Sequence, residues 1–491
     1  MAGSSRTCCG ASSRVSTSPD DTSLSLTGLT ALTGSRLFPF SQHPLSDNER
    51  SWGIDPVPER LRVLGGFDLA LLWGNLGVSL LVVVAGAILV PALSLPSAFV
   101  AIVVGCLVGN LMLATAGLIG AQARVPAMTL MRAPLGTRGS YVPTVINIVQ
   151  CLGWTVFELL VIATAAAALS DQLFGVEARW AWTLVFGGAA LTMGLLGPIG
   201  VVRTVLRKVA IWVVPIAIAY LIWWALTAGS VSQAWNQPGE GGLSTWQGID
   251  IVVGVTVSWV PLAADYTRFA RTSRGAFWGT GIGYLLPDVL LLGLGALILL
   301  TRDVGDAAAL PAAVAAGGIV ALLALFVLTI AETDEAFANA YSGAVSLQNL
   351  VPAAPQRLLI VATTAVGTAG ALALELTSLQ SFLFLLGSFF VPLFAVLLAD
   401  WLLAGRSYGA QDVFGAPAWH PGMLAAWVVG FGTYQYLSPT GPSAWIEQVQ
   451  RLDPPSWGIG ATLPSFVASF GVGLAVAAVS HRRPRLVAPT V

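Results

Sequence analysis

The sequence predicts an all-α polytopic membrane protein of about twelve transmembrane helices, on three observations. Of its 491 residues, 56% are hydrophobic and only 10% charged, against about 25% charged in soluble domains. The charge is crowded forward: residues 1–68 hold 13 of the 47 charged groups. From Gly65 to Ser480 one apolar run follows another, each near the ~20 residues that cross a hydrocarbon core. Together these exclude a soluble enzyme, a nucleic-acid binder and a disulfide scaffold. Cys8 and Cys9 sit in a polar tail, Cys106 and Cys151 lie inside apolar segments, and no metal-ligand spacing links them.

In chain order, residues 1–64 are rich in Ser, Thr, Asp and Arg, lack a signal-peptide core, and read as a disordered cytoplasmic tail. The transporter domain follows over 65–485. Its twelve helices are expected near 69–92, 97–120, 141–169, 180–198, 206–228, 247–264, 277–300, 311–340, 357–375, 379–403, 422–438 and 462–480. A first repeat covers 65–230, a second 245–405, and two extra helices 420–482. With the tail inside, 20 basic residues fall on the cytoplasmic side, among them Arg203, Arg207, Lys208, Arg482, Arg483 and Arg485. Only Arg179, Arg302 and Arg451 fall outside. That asymmetry places both termini in the cytoplasm of a multi-pass plasma-membrane protein.

Two segments carry interruptions. The first has Trp73, Gly74, Asn75, Leu76, Gly77, Val78 and Ser79, two glycines around a polar centre. The sixth has Ser258, Trp259, Val260, Pro261 and Leu262, with a proline inside an apolar run. Five helices separate them, which matches a five-plus-five inverted repeat. In secondary transporters such breaks free backbone groups for substrate and ions.

Intramembrane acids are costly and mark function. Glu158 lies one turn after Trp154 in the third segment, so both project from one face. Glu332, Thr333, Asp334 and Glu335 lie late in the eighth, with Asn339 beyond. Asp265 is read as a cap or a partner of Arg268, Asp288 and Asp400 as structural or gating groups, and Glu375 as solvated. The histidines (His43, His420, His481) sit in the tail or at loop ends. No zinc motif, P-loop or nucleophile elbow is visible. The expectation is therefore a carrier driven by an ion gradient, not an enzyme, with no cofactor beyond the coupling ion.

Three stretches resemble a known family: "RAPLGTRGSYVPTVINIVQCLGWTVFELLVIATA", "SWVPLAADYTRFAR", and "ANAYSGAVSLQNL" paired with "LGSFFVPLFAVLLADW". They are similar to the nucleobase:cation symporters, the cytosine, purine, uracil, thiamine-precursor, allantoin and hydantoin permeases. The resemblance spans about residues 65–405 and implies the leucine-transporter-like inverted repeat, alternating access and a planar heterocycle held midway through the bilayer. It further implies that Trp154 stacks on the ring, that Glu158 and Asn339 read its polar edge, and that Ser79 lies near the substrate. The cation site maps to Asn75, Val78, Thr333 and Asp334.

The sequence departs from the family twice. A sixth-helix tryptophan that closes the sandwich in the hydantoin permease is replaced by Thr256, and Trp259 lies about one turn late. Asp334 stands where a hydroxyl is expected, which leaves sodium and proton coupling both open. An ionised Glu158 accepts hydrogen bonds only, which favours N–H-rich rings such as cytosine or a purine. A thiamine-type aminopyrimidine is the main alternative, then allantoin or hydantoin. An amino-acid importer of the same architecture is the competing class. The partners implied are the small-molecule substrate and the lipid bilayer, without nucleic acid.

Overall fold

The structure, a computed structural model, describes residues 52–201, 211–228, 231–374, 379–455 and 459–481. The tail through Ser51, the loop with Arg203, Arg207 and Lys208, Glu375 and the closing arginines lie outside the described residues. A helix lies under each of the twelve expected segments. The first is split into α1 (Gly66–Leu76) and α2 (Leu80–Ala87). Then come α3 (Leu95–Ala123), α4 (Tyr141–Phe174), α5 (Arg179–Val201) and α6 (Ile211–Leu226). The sixth segment comprises α7 (Thr245–Val257) and α8 (Ala263–Thr267), and α9 is Ser273–Thr301. The eighth comprises α10 (Ile319–Ala331) and α11 (Thr333–Leu350). The later segments are α12 (Gln356–Ala373), α13 (Leu379–Leu403), α14 (Pro421–Leu437) and α15 (Thr462–His481), with short helices in several connections. Among the described residues, eight helices are long and apolar enough to cross a membrane, and the α1–α2 pair, bent by 58°, makes a ninth.

Two boundaries differ from expectation. The eighth segment begins at Ile319, not near 311, because Gly317 and Gly318 separate it from a short helix over Leu310–Ala315. It runs on to Leu350, so Glu332 lies at its centre, in a one-residue turn whose backbone stays right-handed helical (φ −54°, ψ −24°). The acids expected late in that helix are thus central. The tail, expected to run unstructured to residue 64, is also corrected, because residues 52–64 pack as a strap. Val57, Leu61 and Leu64 are buried. Apolar side chains at those positions give this stretch a burial reward that its overall composition hides.

The strap is tied mainly to the end of the sixth segment. Leu64 N–H donates to Phe269 O (3.1 Å), and Arg271 N–H donates back to Leu64 O (2.9 Å). Arg62 Nε donates to Ala270 O (2.9 Å). The wholly buried Arg268 donates to Gly53 O (2.7 Å) and Trp52 O (3.2 Å). At the surface Glu59 accepts from Arg62, a hydrogen bond that holds its exposed carboxyl below the ordinary range.

The first segment is clamped to α9 through absent side chains. A Cβ on Gly86 would run into the carbonyl of Leu292, and one on Gly295 into the carbonyl of Val83. Backbone therefore touches backbone, the close approach that small residues permit between membrane helices. Gly295→Leu must push α2 and α9 apart, beyond the ~1–3 kcal/mol of ordinary overpacking. The purified variant should lose its monodisperse gel-filtration peak or unfold many degrees below the parent. Gly188→Ala, where nothing lies within 4 Å of the added carbon, should leave both unchanged.

Candidate functional site

The breaks of the first and sixth segments and the centre of the eighth meet in one region, and the third and tenth wall it. Ser79 caps α2, its hydroxyl accepting from Leu81 N–H (3.0 Å) and Val82 N–H (3.3 Å). The donors at this new helix start have a second acceptor from across the bundle. Glu332 accepts from Leu80 N–H (2.5 Å), Leu81 N–H (3.4 Å) and the Ser79 hydroxyl (2.8 Å). A carboxylate at a helix N-terminus satisfies amides that have no intrahelical partner and meets the positive end of the helix dipole. In the sixth segment the break freed Ser258 O, which accepts from Gln150 Nε2 of α4 at 2.7 Å.

Ser79, Trp154, Ser258, Trp259, Tyr284 and Glu335 face a common gap, with Leu379 and Leu383 behind them. The gap holds about one water molecule, so any ring must part these walls to enter. Trp154 packs edge-on against Phe382 at 5.2 Å between ring centroids, and Trp259 edge-on against Trp73 at 5.9 Å. The indole N–H of Trp154 has no hydrogen-bond partner although the residue is only 8% exposed.

Beside this gap Glu158, Glu332 and Glu335 each bring a carboxylate oxygen within 4.8 Å of the other two. They are 0%, 0% and 4% exposed. Both oxygens of Glu158 and one of Glu335 have no donor. Among the described residues this trio is the donor set that could hold a cation. The sequence signal for Glu332 and Glu335 was their clustering with Asp334, but only the folded chain sets them against Glu158 and α2.

The remaining expected residues divide. Asn75 Nδ2 donates to Asp334 Oδ2 at 2.6 Å, joining the first break to the eighth segment. Thr333 adjoins that pair, and Val78 lies in the unwound turn, its N–H bonded to Asn75 O. Asn339 instead turns its amide to the backbone of its own helix, at Glu335 O (3.1 Å), and does not line the gap. Thr256 donates to Asp288 (2.8 Å), which also accepts from Asn110 (3.4 Å), so that acid ties helices together. Asp265 accepts from Ala127 N–H at 2.9 Å, a cap rather than a direct pair with the Arg268 guanidinium. Asp400 accepts from Tyr408 (2.7 Å).

With this geometry in view, the comparisons identify the lineage. Residues 56–417 match the family model described as permease for cytosine/purines, uracil, thiamine, allantoin. The chain belongs to that permease family. Its members are membrane transporters, not enzymes. A curated relative, the hydantoin permease of Microbacterium maritypicum, is 22% identical over 221 residues. That match covers 44% of this chain and 44% of the relative, so it spans under half of either protein. Among solved structures the permease-family chain resembles Mhp1, a nucleobase-cation-symport-1 family transporter in a closed conformation with bromovinylhydantoin bound. The TM-score is 0.74 at 18% identity, covering 89% of this chain and 97% of Mhp1. It is also similar to MhsT in complex with L-phenylalanine, at TM-score 0.53 and 13% identity, covering 84% of this chain and 97% of MhsT. At these identities the likenesses establish the leucine-transporter-like fold.

Glu332→Ala should strip the acceptor from the start of α2. Leaving buried amides unsatisfied costs about 1–3 kcal/mol each, so the variant should melt well below the parent in a detergent thermal-shift assay. Glu332→Gln, which keeps one carbonyl acceptor, should recover part of the loss. Equal melting of all three proteins would remove Glu332 from the architecture of the break.

Proposed function

We propose that this permease-family protein is a secondary active importer of a nucleobase-like heterocycle, cytosine or a purine before others, driven by Na⁺ or H⁺ and working by alternating access. Its proposed setting is the plasma membrane, with both termini cytoplasmic. The observation that carries the reading is the convergence of Trp154 and Trp259 on one closed gap beside the buried carboxylates of Glu158 and Glu335. Indole faces suit a flat ring through stacking and apolar contact, and carboxylates accept from its N–H edge. Trp259 stands in for the tryptophan replaced by Thr256, and Asn339 contributes once its amide leaves Glu335 O. The ion would lie between Asn75, Val78, Thr333 and Asp334, since hard cations and protons both suit oxygen ligands there.

An amino-acid substrate fits less well. Its carboxylate needs free backbone donors at the first break, and Leu80, Leu81 and Ser79 already serve Glu332. A hydantoin is the second reading, favoured by the relative and by Mhp1.

Reconstituted liposomes given an inward Na⁺ or H⁺ gradient should accumulate labelled cytosine or adenine. Parallel arms with uracil, hydroxymethylpyrimidine, allantoin, a hydantoin and phenylalanine rank the alternatives. Equilibration without accumulation under both gradients would reduce the protein to a facilitator. In the same system Trp154→Ala should weaken substrate binding about 5- to 150-fold, the range of a lost base–aromatic stack, and Trp154→Phe less. Asp334→Asn keeps the shape but removes the charge. It should abolish gradient-driven accumulation and spare exchange, and undiminished concentration of substrate would take Asp334 out of coupling.

A further inference from the structure

Apart from the carboxylate trio, one more acid is buried where the second, sixth and seventh segments meet. Asp288 of α9 is 0% exposed, and its neighbours Asn110 of α3 and Thr256 of α7 are 4% and 0% exposed. Its Oδ2 accepts from the Thr256 hydroxyl at 2.8 Å and from Asn110 Nδ2 at 3.4 Å. Asn110 Nδ2 also donates to Cys106 O at 2.9 Å. Asp288 Oδ1 and Asn110 Oδ1 are left buried with no partner. The cluster is short of hydrogens, because a hydroxyl supplies one and an amide two. A single proton on Asp288 gives the carboxyl a donor of its own, and Asn110 Oδ1 is an acceptor that lacks one.

Among the described residues no base answers this acid. Arg274 and Arg302 stand 14 residues before and after it on α9, about 21 Å along the axis each way. Cys106 of α3 brings a thiol to the cluster, and Tyr284 lies one turn earlier on α9, with Glu335 beyond it. The other titratable groups on the elements packed around it are Asp250 of α7, Asp68 of α1 and Tyr220 of α6. Asp250 accepts from the amides of Ala461 and Thr462, and Asp68 from Gly65 N–H. The short helices over Val231–Asn236 and Leu310–Ala315 bring none, nor does α2. A lone carboxylate in a membrane interior is costly unless it takes up a cation. The packing suits the smallest one. A Cβ on Gly109 would come within 2.6 Å of Thr256, and one on Gly105 within 2.6 Å of Val252. Helices α3 and α7 therefore touch, and they leave no room for a metal ion's shell of oxygens.

The cluster lies directly behind the gap. Val255 and Ser258, which flank Thr256 in α7 and just after it, line that gap, and so does Tyr284. Tyr284 is four residues from Asp288, about 6 Å along the axis. Walls that part for a ring would bring water to this acid. We propose that Asp288, Asn110 and Thr256 form a proton-binding site, separate from the cation site at Asp334: the Asp288 carboxyl holds one H⁺ while the gap is closed and passes it to water when the gap opens. The carboxyl O–H bond breaks, the water becomes hydronium, and the carboxylate left behind keeps its bonds to Thr256 and Asn110. This adds an ion to the importer reading and does not depend on which ring is carried.

The test needs no substrate. The full-length chain in nanodiscs is followed by infrared spectroscopy as the pH is raised, and the Asp288→Asn spectrum is subtracted to isolate the one carboxyl. At neutral pH the difference should hold the carbonyl stretch of a protonated acid, which alkaline pH exchanges for carboxylate bands. Thr256→Val takes a donor from the anion, so the acid band should persist about one to two pH units higher. Tyr284→Ala opens the wall to water, which solvates the anion, and should move the exchange to lower pH. If Asp288→Asn does not fold, the band is recognised as the one that the other two variants move in opposite directions. Carboxylate bands in the parent at neutral pH overturn the proposal. So does an acid band that Na⁺ removes at fixed pH, since the occupant is then a metal ion. A band unmoved by Thr256→Val, or by Tyr284→Ala, also overturns it, by severing Asp288 from its partners or from the gap. Uptake of labelled cytosine into liposomes, assayed separately, judges the importer reading alone.

Discussion

The bond between Glu332 and the start of α2 is the constraint on which the rest depends. Breaking the first segment at Gly77–Ser79 leaves amides pointing into a membrane interior where water cannot serve them. The chain answers with an acid from a distant segment. Glu332 reaches Leu80 from the turn between α10 and α11, and so ties the centre of the eighth segment to the break in the first. Asn75 and Asp334 repeat the arrangement one turn away, side chain to side chain. Through these contacts the position of the eighth segment is fixed relative to the first.

That arrangement also sets what the site can recognise. In a carrier that binds amino acids, a broken helix offers its N-terminus to the ligand's carboxylate. Here the protein supplies the acceptor itself, because the Glu332 carboxyl already occupies the amides at the start of α2.

Much of the fold was legible in sequence because the bilayer imposes one dominant length scale. Apolar runs and arginine-bearing loops located helices under all twelve expected segments, and Gly74, Gly77 and Pro261 gave away two breaks. The role of Glu332 was hidden because its partner lies some 250 residues earlier, at Leu80. The order of residues 52–64 was hidden for a similar reason, since Arg268 holds Trp52 and Gly53 by their carbonyls, which any sequence possesses. Spacing put Trp154 and Glu158 on one face, and that pairing leads to the gap and its acids. Spacing could not report that Asn339 spends its amide on its own helix.

The glycine contact between α2 and α9 has a mechanical corollary. Helices separated by side chains slide on a layer of rotatable groups, whereas carbonyl against Cα leaves nothing to rotate. Gly86 and Gly295 thus weld the first segment to α9 into a single stiff beam. On its other flank the same beam borders a groove of about 440 Å³, lined by Ala70, Gly74 and Asn75 of α1, Val214 and Ile218 of α6, and Leu286 of α9. Space between helices lies along that seam, where α6 meets the beam, and not at the glycine contact. The edge of the seam is Asn75, so a tilt of α6 would be felt first at the residue that holds Asp334.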